Sequence, residues 1–157
     1  MANAFDVLQE RGFVEQVSDE EGLRAALEQP LTYYIGYDPS ASSLHIGNLV
    51  TIMAMAHLQR QGHRPIALMG GGTGMIGDPS GKTEMRQLLE TEQIDRNLQS
   101  IKAQVGRYVD FSEGRALMVN NAEWLRELKY IDFLRDIGRH FSVNRMLAAE
   151  AYRIRME

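Results

Sequence analysis

The chain has 157 residues, 44% of them apolar and 24% charged, with a formal charge of −4 from 17 Lys and Arg against 21 Asp and Glu. This is globular material long enough to bury a core, not a disordered tail, and the absence of cysteine excludes disulfides, zinc ribbons, thiol nucleophiles and cysteine-held iron–sulfur clusters. No apolar run approaches the roughly 20 residues of a membrane helix, no basic-then-apolar leader opens the chain, and its mild acidity is ill suited to holding polyphosphate by bulk charge.

The first 30 residues read as two short helices. Phe5 and Leu8 share a face of the first, which Gly12 ends. Ser18 with Glu21 predicts a capping box for the second, followed by buried Leu23 and Leu27. Residues 31–37, Leu-Thr-Tyr-Tyr-Ile-Gly-Tyr, are aromatic and β-branched and predict a strand. Its alternation puts Tyr34, Gly36 and Asp38 on one side and Tyr33, Ile35 and Tyr37 on the other. After a turn at 38–43, a helix is expected over 44–61, with Leu49, Ile52, Met53 and Ala56 inward and Gly62 as its stop. Pro65 to Met69 is a continuously apolar run, as in the buried strands of parallel sheets. Ile94, Leu98, Ile101, Val105 and Tyr108 make a helical stripe. Ala116 to Val119 predicts a third strand. Trp124 and Leu125 open more helix, Tyr130 to Ile137 is helical with Gly138 at its end, and Ser142 is placed to cap a last helix carrying Val143, Met146, Leu147 and Ile154. Strands alternating with helices predict an α/β fold with a mainly parallel sheet, whose ligands sit beyond the carboxyl ends of the strands.

Two loops there carry unusual chemistry. Six of the 14 glycines fall between Gly70 and Gly81. Within them, Gly72-Thr73-Gly74-Met75-Ile76-Gly77 fits a dinucleotide fingerprint, but Pro79 opposes continuation into a helix. Gly77 to Thr83 falls one residue short of a P-loop. Glycines this dense also let a backbone approach a ligand closely, whereas a simple strand-ending turn needs fewer. The second loop is Pro39 to Asn48. His45 and Asn48 are three apart and share a face of a helix's first turn, Gly47 exposes backbone between them, and the helix N-terminus with Ser40 and His45 forms a candidate anion site. The alternative is a surface histidine with capping serines.

Residues 39–48, Pro-Ser-Ala-Ser-Ser-Leu-His-Ile-Gly-Asn, resemble the His-Ile-Gly-His element of class I aminoacyl-tRNA synthetases, with Asn48 in the last place. The segments at 34–39, 70–82, 120–124 and 133–144 are similar to bacterial tyrosyl-tRNA synthetases, in that family's order and approximate spacing. The resemblance implies a Rossmann-like catalytic domain that joins L-tyrosine to ATP as tyrosyl-adenylate and passes tyrosyl to tRNA(Tyr). It implies that Tyr34 meets the substrate phenol, that Asp78 holds its ammonium, and that Thr73 and Asn121 line the same pocket. Read from the residues alone, the alternatives for these last two are a turn hydroxyl and a capping amide. Gly36 and Asp38 would lie along the ribose and α-phosphate, with Gly47. Ser40 and His45 would bind the γ-phosphate, Asn48 would reach ribose, and Lys82 and Arg86 would meet the leaving pyrophosphate. Mg²⁺ would arrive with ATP, held by phosphates and water rather than by protein. A homodimer in the cytoplasm is also implied.

His57, His63 and His140 receive structural or surface roles, and the nine methionines read as core filler. The family's second phosphate motif, Lys-Met-Ser-Lys-Ser-like, has no counterpart at Lys82, Lys102 or Lys129. The expectation is therefore a helical segment at 1–30, then the first half of a catalytic domain at 31–157, cut short at its C-terminal end. Apolar surface is expected at 130–157. The competing readings are a nucleotide-binding module without ligase activity and a tryptophan-type synthetase fragment.

Overall fold

The computed structural model describes residues 3–76 and 90–148. Asp78, Lys82, Arg86 and Ile154 lie outside them.

Three strands, β1 (Thr32–Tyr37), β2 (Arg64–Met69) and β3 (Leu117–Asn120), form a parallel sheet in the order β1-β2-β3. Tyr34 stands opposite Ile66 and Gly36 opposite Leu68; Ile66 in turn faces Leu117 and Leu68 faces Val119. Helix α3 (Ile46–Arg60) joins the first two strands, and α4 (Gly71–Ile76) and α5 (Thr91–Val105) lie between the second and third. Period-2 alternation divides each strand, and both long helices pack on the face bearing Tyr33, Ile35, Tyr37, Ala67, Met69 and Met118. Their shared core includes Ile52, Met55, Ile94, Leu98, Ile101 and Val105. The opposite face carries Tyr34 and Leu117, which are 68% and 40% exposed.

Helices α1 (Ala4–Glu10) and α2 (Glu20–Ala26) build a smaller cluster of Ala4, Phe5 and Leu27 that reaches Leu58 of α3. Arg24 ties them together. It bonds Glu20 and Asp6, and its guanidinium lies 4.3 Å from the Phe5 ring centre. The N-cap of α2 is Asp19, not Ser18: its carboxylate accepts from Gly22 N–H at 2.9 Å. A charged acceptor at a helix N-terminus gains from the dipole as well as the hydrogen bond.

Other departures are equally local. Helix α3 begins at Ile46 rather than Leu44, and the methionine it buries completely is Met55, Met53 being only half-buried. Tyr108 falls beyond the end of α5 and is exposed. Ser142 stands at the N-cap of α8 (Val143–Leu147) but makes no side-chain capping bond there. Short helices α6 (Ala122–Leu125), α7 (Tyr130–Asp136) and α8 carry exposed apolar side chains, among them Trp124, Tyr130, Ile131, Phe133 and Val143. Among the described residues no helix is long and apolar enough to cross a membrane.

Two polar side chains inside this frame are structural. Gln59 donates to Asp110 O at 2.8 Å and accepts from Asp110 N–H at 3.0 Å, pinning the approach to β3 onto α3. His63 is 5% exposed, and its Nδ1 accepts from Leu31 N–H at 3.2 Å. Burial lowers the His63 pKa below its ordinary 6.5. Burial, then Arg11 and Arg60, do the same to His57. The folded state therefore prefers both rings neutral. Their contribution is whole above the unfolded value near 6.5 and is lost as pH falls below it toward the folded values. Thermal unfolding at about pH 7.5 and about pH 5.5 should show the loss, and His63→Gln, which keeps an acceptor but does not titrate, should reduce it. An unchanged pH slope in that variant would remove His63 from the account.

Candidate functional site at the strand ends

The carboxyl ends of the three strands are drawn together by backbone bonds just beyond the ladder. Gly70 N–H donates to Tyr37 O, and Asn121 N–H to Met69 O, both at 2.9 Å. Each strand therefore delivers a segment to the same edge: Asp38–His45 after β1, the glycines after β2, and Asn120 at the end of β3 with Asn121 after it.

The glycine segment does not run as a loop throughout; residues 71–76 form α4. Its glycines serve contact within the protein. A Cβ on Gly71 would collide with the Asn120 amide, and one on Gly74 would press on the Pro39 ring at 3.1 Å. The helix is thereby brought against both neighbouring loops. Asparagines hold it there. Asn120 Oδ1 accepts from Gly71 N–H at 3.1 Å and from Ala122 N–H at 3.0 Å. Asn121 Oδ1 accepts from Gly72 N–H at 2.7 Å, while its Nδ2 donates to Thr73 Oγ1 at 3.1 Å. Thr73 in turn donates to Gly70 O at 3.2 Å. Asn121 is 8% exposed, so these bonds satisfy a buried amide whose loss would leave partners unpaired. Thr73 and Asn121 are thus brought together with their polar atoms engaged by the protein, and Asn120 is a member of the constellation that sequence reading missed. Its signal was a polar pair directly following an apolar strand.

After β1, Asp38 is exposed and its carboxylate lies against Gly70, Pro39 is fully buried, and Ser40 is exposed. His45 is the N-cap of α3, one residue before the first turn. Its Nδ1 accepts from Gly47 N–H at 3.0 Å, and Asn48 Oδ1 accepts from His45 N–H at 3.2 Å. This reciprocal capping box revises the expected arrangement. Gly47 does not offer its N–H outward, because the His45 ring takes it; the ring lies so close that a Cβ at Gly47 would meet its Cε1 at 2.9 Å. The bond also sets the tautomer. With Nδ1 accepting, the neutral ring carries its proton on Nε2. His45 Nε2–H and Asn48 Nδ2 are then side-chain donors at the positive end of a 15-residue helix, an arrangement that suits an anion. A groove beside them is lined by Leu44, Ile46, Leu49, Gln104, Arg107 and Tyr108. Arg107 is a cation that sequence reading passed over.

Across from this end, Tyr34 projects from the open face of the sheet. Two residues on, the missing Cβ of Gly36 would meet nothing within 4 Å. The open face of β1 is therefore accessible at Tyr34 and Gly36. On the other face, burial raises the phenol pKa values of Tyr33 and Tyr37, so these rings stay neutral parts of the core. Tyr33 donates to Met55 O at 2.7 Å.

Curated relatives are similar along the whole chain. The tyrosine–tRNA ligase of Syntrophus aciditrophicus is 62% identical over 157 residues, all of this chain and 37% of that protein. That of Desulfosudis oleivorans is 63% identical over 153 residues, 97% of this chain and 35% of that protein. The chain thus spans little more than a third of their length. Among solved structures, a C-terminally truncated mitochondrial tyrosyl-tRNA synthetase from Aspergillus nidulans superposes with a TM-score of 0.85 at 26% identity, covering 99% of this chain and 48% of that one. A tyrosyl-tRNA synthetase from Archaeoglobus fulgidus, complexed with L-tyrosine, shares the fold with a TM-score of 0.62 at 24% identity, over 83% of this chain and 38% of that one. Residues 26–157 match the family described as tRNA synthetases class I (W and Y), and the chain, with its parallel sheet and capped helix at the strand ends, belongs to that family.

Proposed function

We propose that the protein activates L-tyrosine with ATP and transfers the tyrosyl group to tRNA(Tyr). The observation that carries this reading is the 62–63% identity, over essentially the whole chain, to tyrosine–tRNA ligases. In the first step a tyrosine carboxylate oxygen attacks the α-phosphorus of ATP, the bond to the β-phosphate bridge breaks, and pyrophosphate leaves. In the second, the 3′-terminal hydroxyl of tRNA attacks the tyrosyl carbonyl and AMP departs. Neither step needs a protein nucleophile; positioning and hydrogen-bond donors aimed at developing charge suffice.

In this reading Tyr34 bonds the substrate phenol, and Asp78 takes its ammonium. Thr73 and Asn121 shape the pocket wall. Gly36, Asp38 and Gly47 border the nucleotide, with Asn48 Nδ2 directed to ribose. Ser40 and His45 bind the γ-phosphate, and Lys82 and Arg86 the pyrophosphate. Mg²⁺ enters as part of the ATP substrate. Residues 1–30 act as a helical brace on α3, and 31–157 as the first half of the catalytic domain. The exposed apolar side chains of α7 and α8 fit a homodimer contact, and the protein works in the cytoplasm.

The test is pyrophosphate exchange into ATP by the protein as its gene encodes it. Exchange that depends on tyrosine and falls steeply in Tyr34→Phe supports the assignment, because a buried phenol hydroxyl of the substrate then loses its partner. Exchange that depends on tryptophan instead overturns the substrate, and nucleotide binding with no exchange overturns the reaction.

A further inference from the structure

The stripe of α5 that faces the core is not wholly apolar. Ile94, Leu98, Ile101 and Val105 are buried there, but the same face includes Asn97, at 2% exposure, and the partly buried Gln104. An amide buried this deeply costs free energy unless it is bonded, and a leucine would serve packing alone. Asn97 Nδ2 donates to Pro39 O at 2.8 Å, and its Oδ1 accepts from Gln93 Nε2 at 2.8 Å. Gln104 Oε1 accepts from Leu44 N–H at 2.9 Å.

These two bonds grip the two ends of one loop. Pro39 immediately precedes Ser40, and Leu44 immediately precedes His45. Seven residues separate Asn97 from Gln104, so they stand about 10 Å apart along the same face of a straight helix. We propose that Asn97 and Gln104 are positioning residues: α5 acts as a ruler that sets the separation of Ser40 and His45, and with it the fit of the site to the polyphosphate of ATP. The inference rests on the tyrosine-activation reading for its activity readout. Rigid placement matters there because an error of about 1 Å in a reacting group costs rate by up to about a hundredfold.

Gln104→Met keeps length and apolar bulk but removes the acceptor. In the protein as its gene encodes it, this variant is expected to slow tyrosine-dependent pyrophosphate exchange by about 10- to 100-fold, with KM for tyrosine changed less than about twofold. Asn97→Ala tests the other grip and should act in the same direction. The decisive comparison repeats Gln104→Met in a His45→Asn background. If Gln104 acts through His45, it costs little more there; if it serves only general stability, the two losses multiply, and the proposal falls. Hydrogen exchange at the Leu44 amide is a readout independent of activity. Its protection should drop in Gln104→Met while the amides of β1 and β2 keep theirs, and unchanged protection at Leu44 also overturns the proposal. Failure of the parent protein to exchange with tyrosine at all defeats the functional reading, and the Leu44 measurement still decides the clamp.

Discussion

His45→Ala is expected to reduce the rate of tyrosyl-adenylate formation by about 10²–10³-fold, the usual cost of removing one preorganised donor from a site where charge develops. Binding of tyrosine should be nearly unchanged, since the ring caps α3 and does not stand on β1 with Tyr34. Alanine also removes the N-cap of α3, which by itself costs about 1 kcal/mol of stability. The two effects separate in His45→Asn. Asparagine is a good N-cap whose side-chain oxygen replaces Nδ1 as acceptor, so thermal stability should return to that of the parent or exceed it. It has no group in the place of Nε2–H, so the rate should stay low. Pyrophosphate exchange and thermal unfolding, run on both variants, check this. Full activity in His45→Asn would show that the ring serves only as a cap.

The largest loss of stability is expected from Ile101→Ala. Ile101 is fully buried in α5, in the core shared with Met55, Ala67 and Met69. Removing its three outer carbons loses their transfer free energy and leaves a cavity beneath the sheet, for a cost of about 2–5 kcal/mol. That is a large part of the roughly 5–15 kcal/mol that holds a domain folded. Denaturant unfolding, with the slope unchanged and the midpoint lowered, is the measurement. A loss under about 1 kcal/mol would mean that the site collapses around the gap or that α5 is not seated as described.

The strands were legible because their side chains obey one simple rule. In β1 the alternation that sends Tyr33, Ile35 and Tyr37 inward leaves Tyr34 and Gly36 on the open face, and nothing nonlocal competes with it. The start of α3 was misplaced by two residues because histidine is not among the usual N-caps. Only the close approach permitted by Gly47 makes the His45 ring serve as one. Helix α4 was unreadable for a different reason. Glycine opposes helix by propensity, and six residues of Gly-Gly-Thr-Gly-Met-Ile become helical only because Asn120, Asn121 and Pro39 surround them. Asn97 and Gln104 were hidden by the stripe itself, since a periodicity count tallies apolar residues and ignores the polar ones that share their face. Motif resemblance supplied candidate roles at the site. The partners of each side chain required the folded contacts.

The order β1-β2-β3 has a consequence for how the chain reaches this state. Among the described residues, every pairing joins a strand to the next one in sequence: Thr32 to Arg64, then Ile66 to Leu117. On a ribosome, where domains emerge N-terminal end first, β1 and β2 can close around α3 before α5 is made, and α5 can then dock as β3 arrives. The loop that carries Ser40 and His45 is among the earliest parts synthesised, yet it acquires its fixed geometry only when Asn97 and Gln104 emerge some 50 to 60 residues later. The two bonds that fix this loop are therefore made late, by a helix remote from it in sequence.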